Sequence, residues 1–256
     1  PVKFTYFLIR WKNILRTILG FYLSRKYPQR IKDRLINLVR EELGQDFDVE
    51  KHFTPSYKPW DQRMCLVPDG DLFAAIKDNR ANVVTDTINT FTPSGILLNS
   101  GNEIEADIVI SATGIELNAL NDINVSVDGV KVEANNKLSY KGMMLSGVPN
   151  LAITFGYVNS SWTLRADLTC EYVCRLINTM DKEGCTACVP QEDINALVED
   201  DYIDFTSGYV QRALDRLPKQ GKKSPWRNYQ NYLLDIFYVR FFAIKDSTLR
   251  FYNPKS

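Results

Sequence analysis

The residues with the greatest chemical reach in this sequence sit in three short stretches. Arg63 lies in a proline-rich loop, residues 52–68, that also carries Phe53, Tyr57, Trp60 and Cys65. A permanently charged guanidinium desolvated by neighbouring aromatic rings is suited to binding an anion, although a surface or ion-paired arginine is the commoner case. Ser111-Ala112-Thr113-Gly114 closes the run that starts Ala106-Asp-Ile-Val-Ile110. Its near-continuous apolar character predicts a strand buried on both faces, and its small terminal residues would let a ligand or another backbone approach closely. Tyr157-Val-Asn-Ser-Ser-Trp162 is a polar turn between a predicted strand over 151–156 and a predicted helix over 163–182. Strand, polar turn and helix in that order place ligands beyond strand ends and anions near helix N-termini. The plain alternative is a helix entry capped by Ser161.

Other chemistries lack their parts. No two glycines are separated by a single residue, so a G-x-G-x-x-G fingerprint is absent. Gly142 and Gly147 have P-loop spacing, but Val148-Pro149 stands where Lys and Ser or Thr are required. There is no G-x-S-x-G, and His52 is the only histidine, so a Ser-His-Asp or Cys-His mechanism would have to use it. Beside Phe53 in a loop it reads as structural. Cys185-Thr-Ala-Cys188 offers two of the four ligands of a structural zinc site, and without a second pair it reads as two ordinary thiols. Cys170 and Cys174 share a predicted helix face and read as core residues.

The chain is large enough to position such residues. Its 256 residues are 45% hydrophobic and 24% charged, with 13 Gly and 11 Pro, which excludes disordered and low-complexity classes and suits one large domain or two lobes. Five irregularly spaced Cys, with no short apolar N-terminal run ending in small residues, favour a reducing, cytoplasmic compartment over a secreted disulfide scaffold.

The neutral total hides an asymmetry: residues 1–40 carry ten Lys or Arg against Asp33 alone, +9, balanced by −9 in the remainder. There Phe7, Leu8, Trp11, Ile14, Leu15, Ile18, Leu19 and Tyr22 recur at helical spacing. They predict a basic amphipathic helix interrupted near Pro28, with a second helix over 29–43. The apolar stripe is expected to pack on its own protein, the alternative being peripheral contact with an anionic membrane surface or a partner. Arg10, Lys12 and Arg16 exclude a bilayer span.

Downstream the pattern predicts a helix over 71–77 capped by Asp71, a strand over 82–88, and hairpin turns at Ser94-Gly95, Ser100-Gly101 and Asp128-Gly129. Residues 190–227 read as irregular with short helices, broken by Pro218, Gly221 and Pro225, 228–242 as an aromatic-rich helix, and the polar end as frayed. The alternation indicates an α/β fold or a mixed sheet. No recognition module accompanies the basic helix, so nucleic acid is not an expected partner.

At the chemically promising residues the sequence resembles the flavin-containing monooxygenases, and among them the Baeyer-Villiger type. The resemblance rests on His52-Phe-Thr-Pro-Ser-Tyr-Lys-Pro-Trp-Asp-Gln-Arg-Met-Cys-Leu-Val-Pro-Asp-Gly-Asp-Leu-Phe73, Val83-Val-Thr-Asp-Thr-Ile88 and Ala106-Asp-Ile-Val-Ile-Ser-Ala-Thr-Gly114. It continues through Tyr140-Lys-Gly-Met-Met-Leu-Ser-Gly-Val-Pro-Asn150, Gly156-Tyr-Val-Asn-Ser-Ser-Trp-Thr163, Leu217-Pro-Lys-Gln-Gly221, Pro225-Trp226 and Gln230-Asn-Tyr232. It covers nearly the whole chain, but the family's FAD and NADPH fingerprints, and the F-x-G-x-x-x-H signature between them, have no counterpart here.

The resemblance therefore implies the C-terminal part of a two-dinucleotide-binding-domain flavoprotein. Its segments would be a helical insertion (1–51), the closing part of the NADPH-binding domain (52–114), and the return into the FAD domain with a C-terminal extension (115–256). The cofactors implied are FAD and NADPH, with oxygen and a ketone or sulfur compound as substrates and the missing N-terminal half as partner. Arg63 matches the family's active-site arginine, which would stabilise negative charge during oxygen transfer and help position the nicotinamide. Thr113 and Gly114 match the crossover between domains. Tyr157, Asn159, Ser160 and Trp162 match the loop facing the flavin ring, and Thr163 begins the helix pointing toward it. Two alternatives stand beside this one. The first is a non-catalytic fragment acting through its basic helix, and the second is a two-nucleotide reductase, which Arg63→Ala would distinguish because an oxygenase should lose oxygenation while a simple reductase should keep hydride transfer to flavin.

Overall fold

Pro28 sets the shape of the N-terminal region. It lacks an N–H, so it cannot continue a helix but is well placed at the first position of a new one. In the computed structural model, which describes residues 2–65, 67–118, 120, 123–191, 200–201 and 206–253, helix α1 (Val2–Lys26) stops at Tyr27. Helix α2 (Pro28–Leu43) starts with that proline. The chain divides into two compact units, Pro1–Gly114 and Ile115–Ser256.

In the first unit α2 ends at Gly44, whose φ of 85° suits glycine and whose N–H bonds Arg40 O. Asp48 caps α3 (Val49–Phe53) by accepting from Lys51 N at 3.0 Å. Helix α4 (Asp71–Lys77) has the predicted bounds, but its N-cap is Gly70 and Asp71 is the first helical residue, so Asp71 does not cap. Strands β1 (Ile88–Phe91), β2 (Gly95–Leu98) and β3 (Glu103–Glu105) form an antiparallel meander whose turns fall at the two predicted Ser-Gly pairs. Gly95 is required there, because a Cβ would strike the Ile104 carbonyl.

Two further expectations fail in this unit. The strand predicted over 82–88 begins only at Ile88. Residues 107–111 form no strand: Ile108 and Ile110 are 80% and 86% exposed, and Val109 is exposed too. Apolar character on both faces fits a strand only where neighbours flank it, and the described residues supply none. The amphipathic stripe is also only partly covered. Ile14 is buried and Trp11, Ile18 and Phe21 are half-buried, whereas Phe4, Leu8, Leu15, Leu19 and Tyr22 are exposed. Packing on the protein itself therefore holds for one edge of the stripe.

The second unit is built on α5 (Trp162–Glu183) and α7 (Tyr232–Phe241), which pack together. Helix α5 buries Leu164, Arg165, Leu168, Thr169, Tyr172 and Leu176, a face with three-to-four-residue spacing, and ends at Gly184 in the left-handed region. The Asp128-Gly129 hairpin appears as β4 (Ser126–Val127) and β5 (Val130–Lys131), both turn residues at positive φ. Strands β6 (Ser139–Tyr140) and β7 (Met144–Leu145) bring Tyr140 and Met144 fully into the core. Residues 151–156 are extended but unladdered; Ile153 N–H donates to the Met143 carbonyl at 2.7 Å.

The polar end does not fray over 249–252. There β11 (Leu249–Tyr252) pairs with β8 (Ala187–Pro190), Leu249 opposite Pro190, and four residues of ladder outweigh the end's polar character; residues 254–256 lie outside those described. Of the segment expected to be irregular, 192–199 and 202–205 lie outside the described residues. The rest holds β9 (Asp200–Asp201), α6 (Gly208–Gln211) and β10 (Lys219–Gln220), which pairs with β9. Cys170 and Cys174 are exposed on α5, correcting their reading as core residues, because α5 turns the 168–172–176 face inward. Cys185 and Cys188 are free thiols, the latter buried in β8. The observed sheets are antiparallel and small, so the fold is mixed helix and strand.

Candidate functional site

Arg63 follows a tight turn tied down on both sides. Asp61 accepts from Lys58 N at 3.1 Å and pairs with Arg25 of α1 at 2.8 Å. The Trp60 ring meets Phe21 edge-on at 5.4 Å. Trp60 has φ 67°, an uncommon conformation for a bulky residue, held by those two anchors. Phe53 packs instead with Phe47 and Phe73, and Tyr57 is exposed. The aromatics therefore do not desolvate Arg63, correcting that expectation. The guanidinium is exposed and makes no hydrogen bond or ion pair among the described residues. His52 accepts or donates at 2.8 Å to the Thr85 hydroxyl and leans on Phe47, a structural role. Thr113 is exposed with its hydroxyl 3.4 Å from that of Ser111, and Gly114, also exposed, has φ 120°.

In the second unit the structure gathers the other five predicted residues into one turn, and two residues outside it hold it. Gln230 takes the Val158 N–H on its side-chain oxygen and the Asn159 amide on its own carbonyl, each at 3.1 Å. Tyr157 points inward, buried, its hydroxyl donating to Asp235 Oδ2 at 2.6 Å. Burial foremost, and the Asp235 charge after it, pushes the Tyr157 phenol well above the ordinary tyrosine range, so it stays protonated. Asn159 and Ser160 are half-buried; Trp162 and Thr163 face solvent.

Gly156 makes room for the Trp162 indole, which would overlap a Cβ there, and the indole leans on Phe155 with centroids 5.3 Å apart. Ser161 occupies the N-cap position of α5, yet its hydroxyl bonds the Thr163 hydroxyl at 2.8 Å instead of a helix N–H. The α5 N-terminus thus has no side-chain cap and no acidic residue in its first turn, leaving its positive end available to an anion.

Behind the loop lies an ion pair that sequence reasoning missed. Arg165 donates to Asp235 Oδ2 at 2.5 Å, the side chains being 3% and 10% exposed, and also bonds the Lys141 carbonyl. Gly142, at φ 67°, leaves space for the guanidinium that a Cβ would take. A second network holds Lys141 itself. Asp246 accepts from Tyr140 at 2.6 Å and from the Thr248 hydroxyl at 2.7 Å, and lies 3.3 Å from Lys141 Nζ. Burial raises the Asp246 carboxyl, but the Tyr140 and Thr248 hydrogen bonds and the Lys141 charge outweigh it, and the group is held below the usual carboxylate range. Burial pulls the Lys141 ammonium down against the opposing pull of Asp246.

The signal for Arg165 and Asp235 was present in the spacing. Arg165 falls on the 165–168–172–176 face of α5 and Asp235 on the 232–235–239 face of α7, each an ionisable group in register with buried residues. An exposed indole, polar side chains and an uncapped helix N-terminus lie together at this turn. A glycine-rich cradle for the pyrophosphate is not part of this sequence.

The relatives named below share one class, monooxygenases described by their flavin cofactor. The chain is 49% identical over 251 residues, 98% of its length, to the FAD-containing monooxygenase EthA of Mycobacterium tuberculosis, of which the alignment spans 51%. It is 44% identical over 251 residues to EthA of Mycolicibacterium smegmatis, again spanning 51% of that protein. It is also 44% identical over 253 residues to a protein of Acinetobacter baylyi named "Probable FAD-binding monooxygenase AlmA", 50% of whose length is spanned. No family model matches. The chain spans about half the length of the curated relatives it matches, and its sequence corresponds to half of an EthA-like monooxygenase.

Proposed function

We propose that this chain is the C-terminal half of a flavin-dependent, NADPH-using monooxygenase of Baeyer-Villiger type, acting with oxygen on ketone or sulfur substrates in the cytoplasm and inactive alone. The observation that carries the proposal is near-complete coverage of the chain by half of each FAD-containing relative. The exposed, doubly apolar segment 107–111 supports it, since strands of the other half would give that segment the neighbours it lacks.

Bound FAD, reduced by NADPH, would supply the electrons and the oxygen chemistry. The chain's own residues would do the rest. The turn Tyr157 to Thr163, with Asn159, Ser160 and Trp162, would bind and orient the ring. Its position is fixed by Gln230 and by the Tyr157–Asp235–Arg165 network. The positive end of α5 would favour negative charge on the ring. Arg63 would hold negative charge at the reacting centre, and with no partner among the described residues its donors are available. Thr113 and Gly114 would provide a small backbone at the crossover between domains.

The test is coexpression with the N-terminal half of a relative. The purified chain alone should be colourless after incubation with FAD and removal of free cofactor. The complemented protein should show a flavin spectrum that NADPH bleaches, and should oxygenate a thioether. A complemented protein that binds no flavin would overturn the proposal. Arg63→Ala in that protein should keep NADPH bleaching and lose oxygenation; intact oxygenation would refute the role given to Arg63.

A further inference from the structure

Helix α1 has a second face that the other described residues leave exposed. Phe4, Leu8, Leu15, Leu19 and Tyr22 recur at steps of four, seven, four and three, so they lie in one line along the helix, and each is at least half exposed. Lys12 and Arg16 fall along one side of that line, Lys26 continues it one turn beyond Tyr22, and α1 contains no acidic residue at all. From this geometry we infer that α1 docks in the plane of an anionic lipid bilayer, its outer stripe among the acyl chains and its flanking cations at the headgroups.

Three features select that occupant. At about 37 Å, from 25 residues at 1.5 Å each, the helix is long enough to lie along a surface. No helix among the described residues is long and apolar enough to cross a membrane, so the contact is peripheral. Lys and Arg at the border of an apolar stripe can bury their stems and keep their charges at the phosphate level. A second copy on the same face would bring two cationic edges with no acidic partner on either helix together, whereas anionic headgroups neutralise them.

Flotation of the full chain with vesicles tests the inference. Vesicles of phosphatidylcholine containing phosphatidylglycerol should carry the chain at least about tenfold better than phosphatidylcholine alone, and added salt should weaken the difference. Leu15→Glu with Leu19→Glu should abolish flotation, while Ile177→Glu, at an exposed apolar position of α5, should not change it. Lys12→Glu with Arg16→Glu should reduce binding more than about tenfold at low salt. Both double changes are at exposed residues and should leave the far-UV circular dichroism intact. Equal flotation with both vesicle types, or retained binding by either double variant, overturns the inference. So does an absence of flotation combined with an oligomer that Leu15→Glu/Leu19→Glu dissociates, which would assign the stripe to a second copy.

Discussion

Asp235→Ala is the sharpest test of how the turn before α5 is held. The change removes the one carboxylate that faces both the Arg165 guanidinium at 2.5 Å and the Tyr157 hydroxyl at 2.6 Å. Arg165, 3% exposed, would keep its charge and its bond to the Lys141 carbonyl but lose its counter-ion. Breaking one side of a buried pair costs about 3–5 kcal/mol, most of it the penalty of an uncompensated buried charge. The stranded Tyr157 hydroxyl belongs to the same network, so its cost is not simply added. For a unit of this size the loss corresponds to a fall in Tm of roughly 10 °C or more.

Urea unfolding followed by far-UV circular dichroism measures the change. The double variant Arg165→Met/Asp235→Leu should lose distinctly less than Asp235→Ala, because apolar replacement of both partners removes the stranded charge. A loss below about 1 kcal/mol for Asp235→Ala, or a double variant no better than the single, would refute the view that this pair is a buried, charge-balanced anchor.

Gly142→Ala should destabilise the second unit by about 1–3 kcal/mol in the same urea assay, since its φ of 67° disfavours any side chain and its Cβ would enter the space of Arg165. Gly156→Ala should displace the Trp162 indole, read as a change in tryptophan emission that is absent from a Gly156→Ala/Trp162→Phe control. Arg63→Ala should alter unfolding by less than about 0.5 kcal/mol, because an exposed arginine with no partner among the described residues has little to lose. The depressed Asp246 carboxyl means that the folded chain binds fewer protons there than the unfolded chain. Its stabilisation is full above the unfolded value, about 4, and is lost as pH falls through the folded one. Asp246→Asn should therefore flatten the acid side of a stability–pH curve, and an unchanged acid side would exclude this group as its source.

The helices and hairpins were legible because their signals are local. Pro28 marks the break between α1 and α2, Asp128-Gly129 its hairpin, and three-to-four-residue spacing marks α5. What escaped depends on partners distant in sequence. The segment 107–111 has the composition of a buried strand, but strandedness belongs to a pair, and no described neighbour forms one. The β8–β11 ladder joins residues some sixty positions apart, and polar residues around it masked it. The turn at 157–163 was recognised as a unit from its residues, whereas its anchors, Gln230 and Asp235, lie over seventy residues away, where no local pattern couples them to it. Arg63 was singled out for the aromatic residues near it in the chain, yet the packing of Phe53 and Trp60 against other rings was beyond what proximity in the chain could tell.

Ile108, Val109 and Ile110 also bear on how long such a chain survives in a cell. Chaperones and proteases sample extended apolar segments with free backbone groups, and self-association begins at the same places. A chain that displays one while its two cores are folded is vulnerable without unfolding, so its half-life is governed by how quickly that segment is covered and not by the depth of either core's stability. Abundance should then track the supply of whatever covers it. Under the proposed assembly, covering the segment would remove that vulnerability.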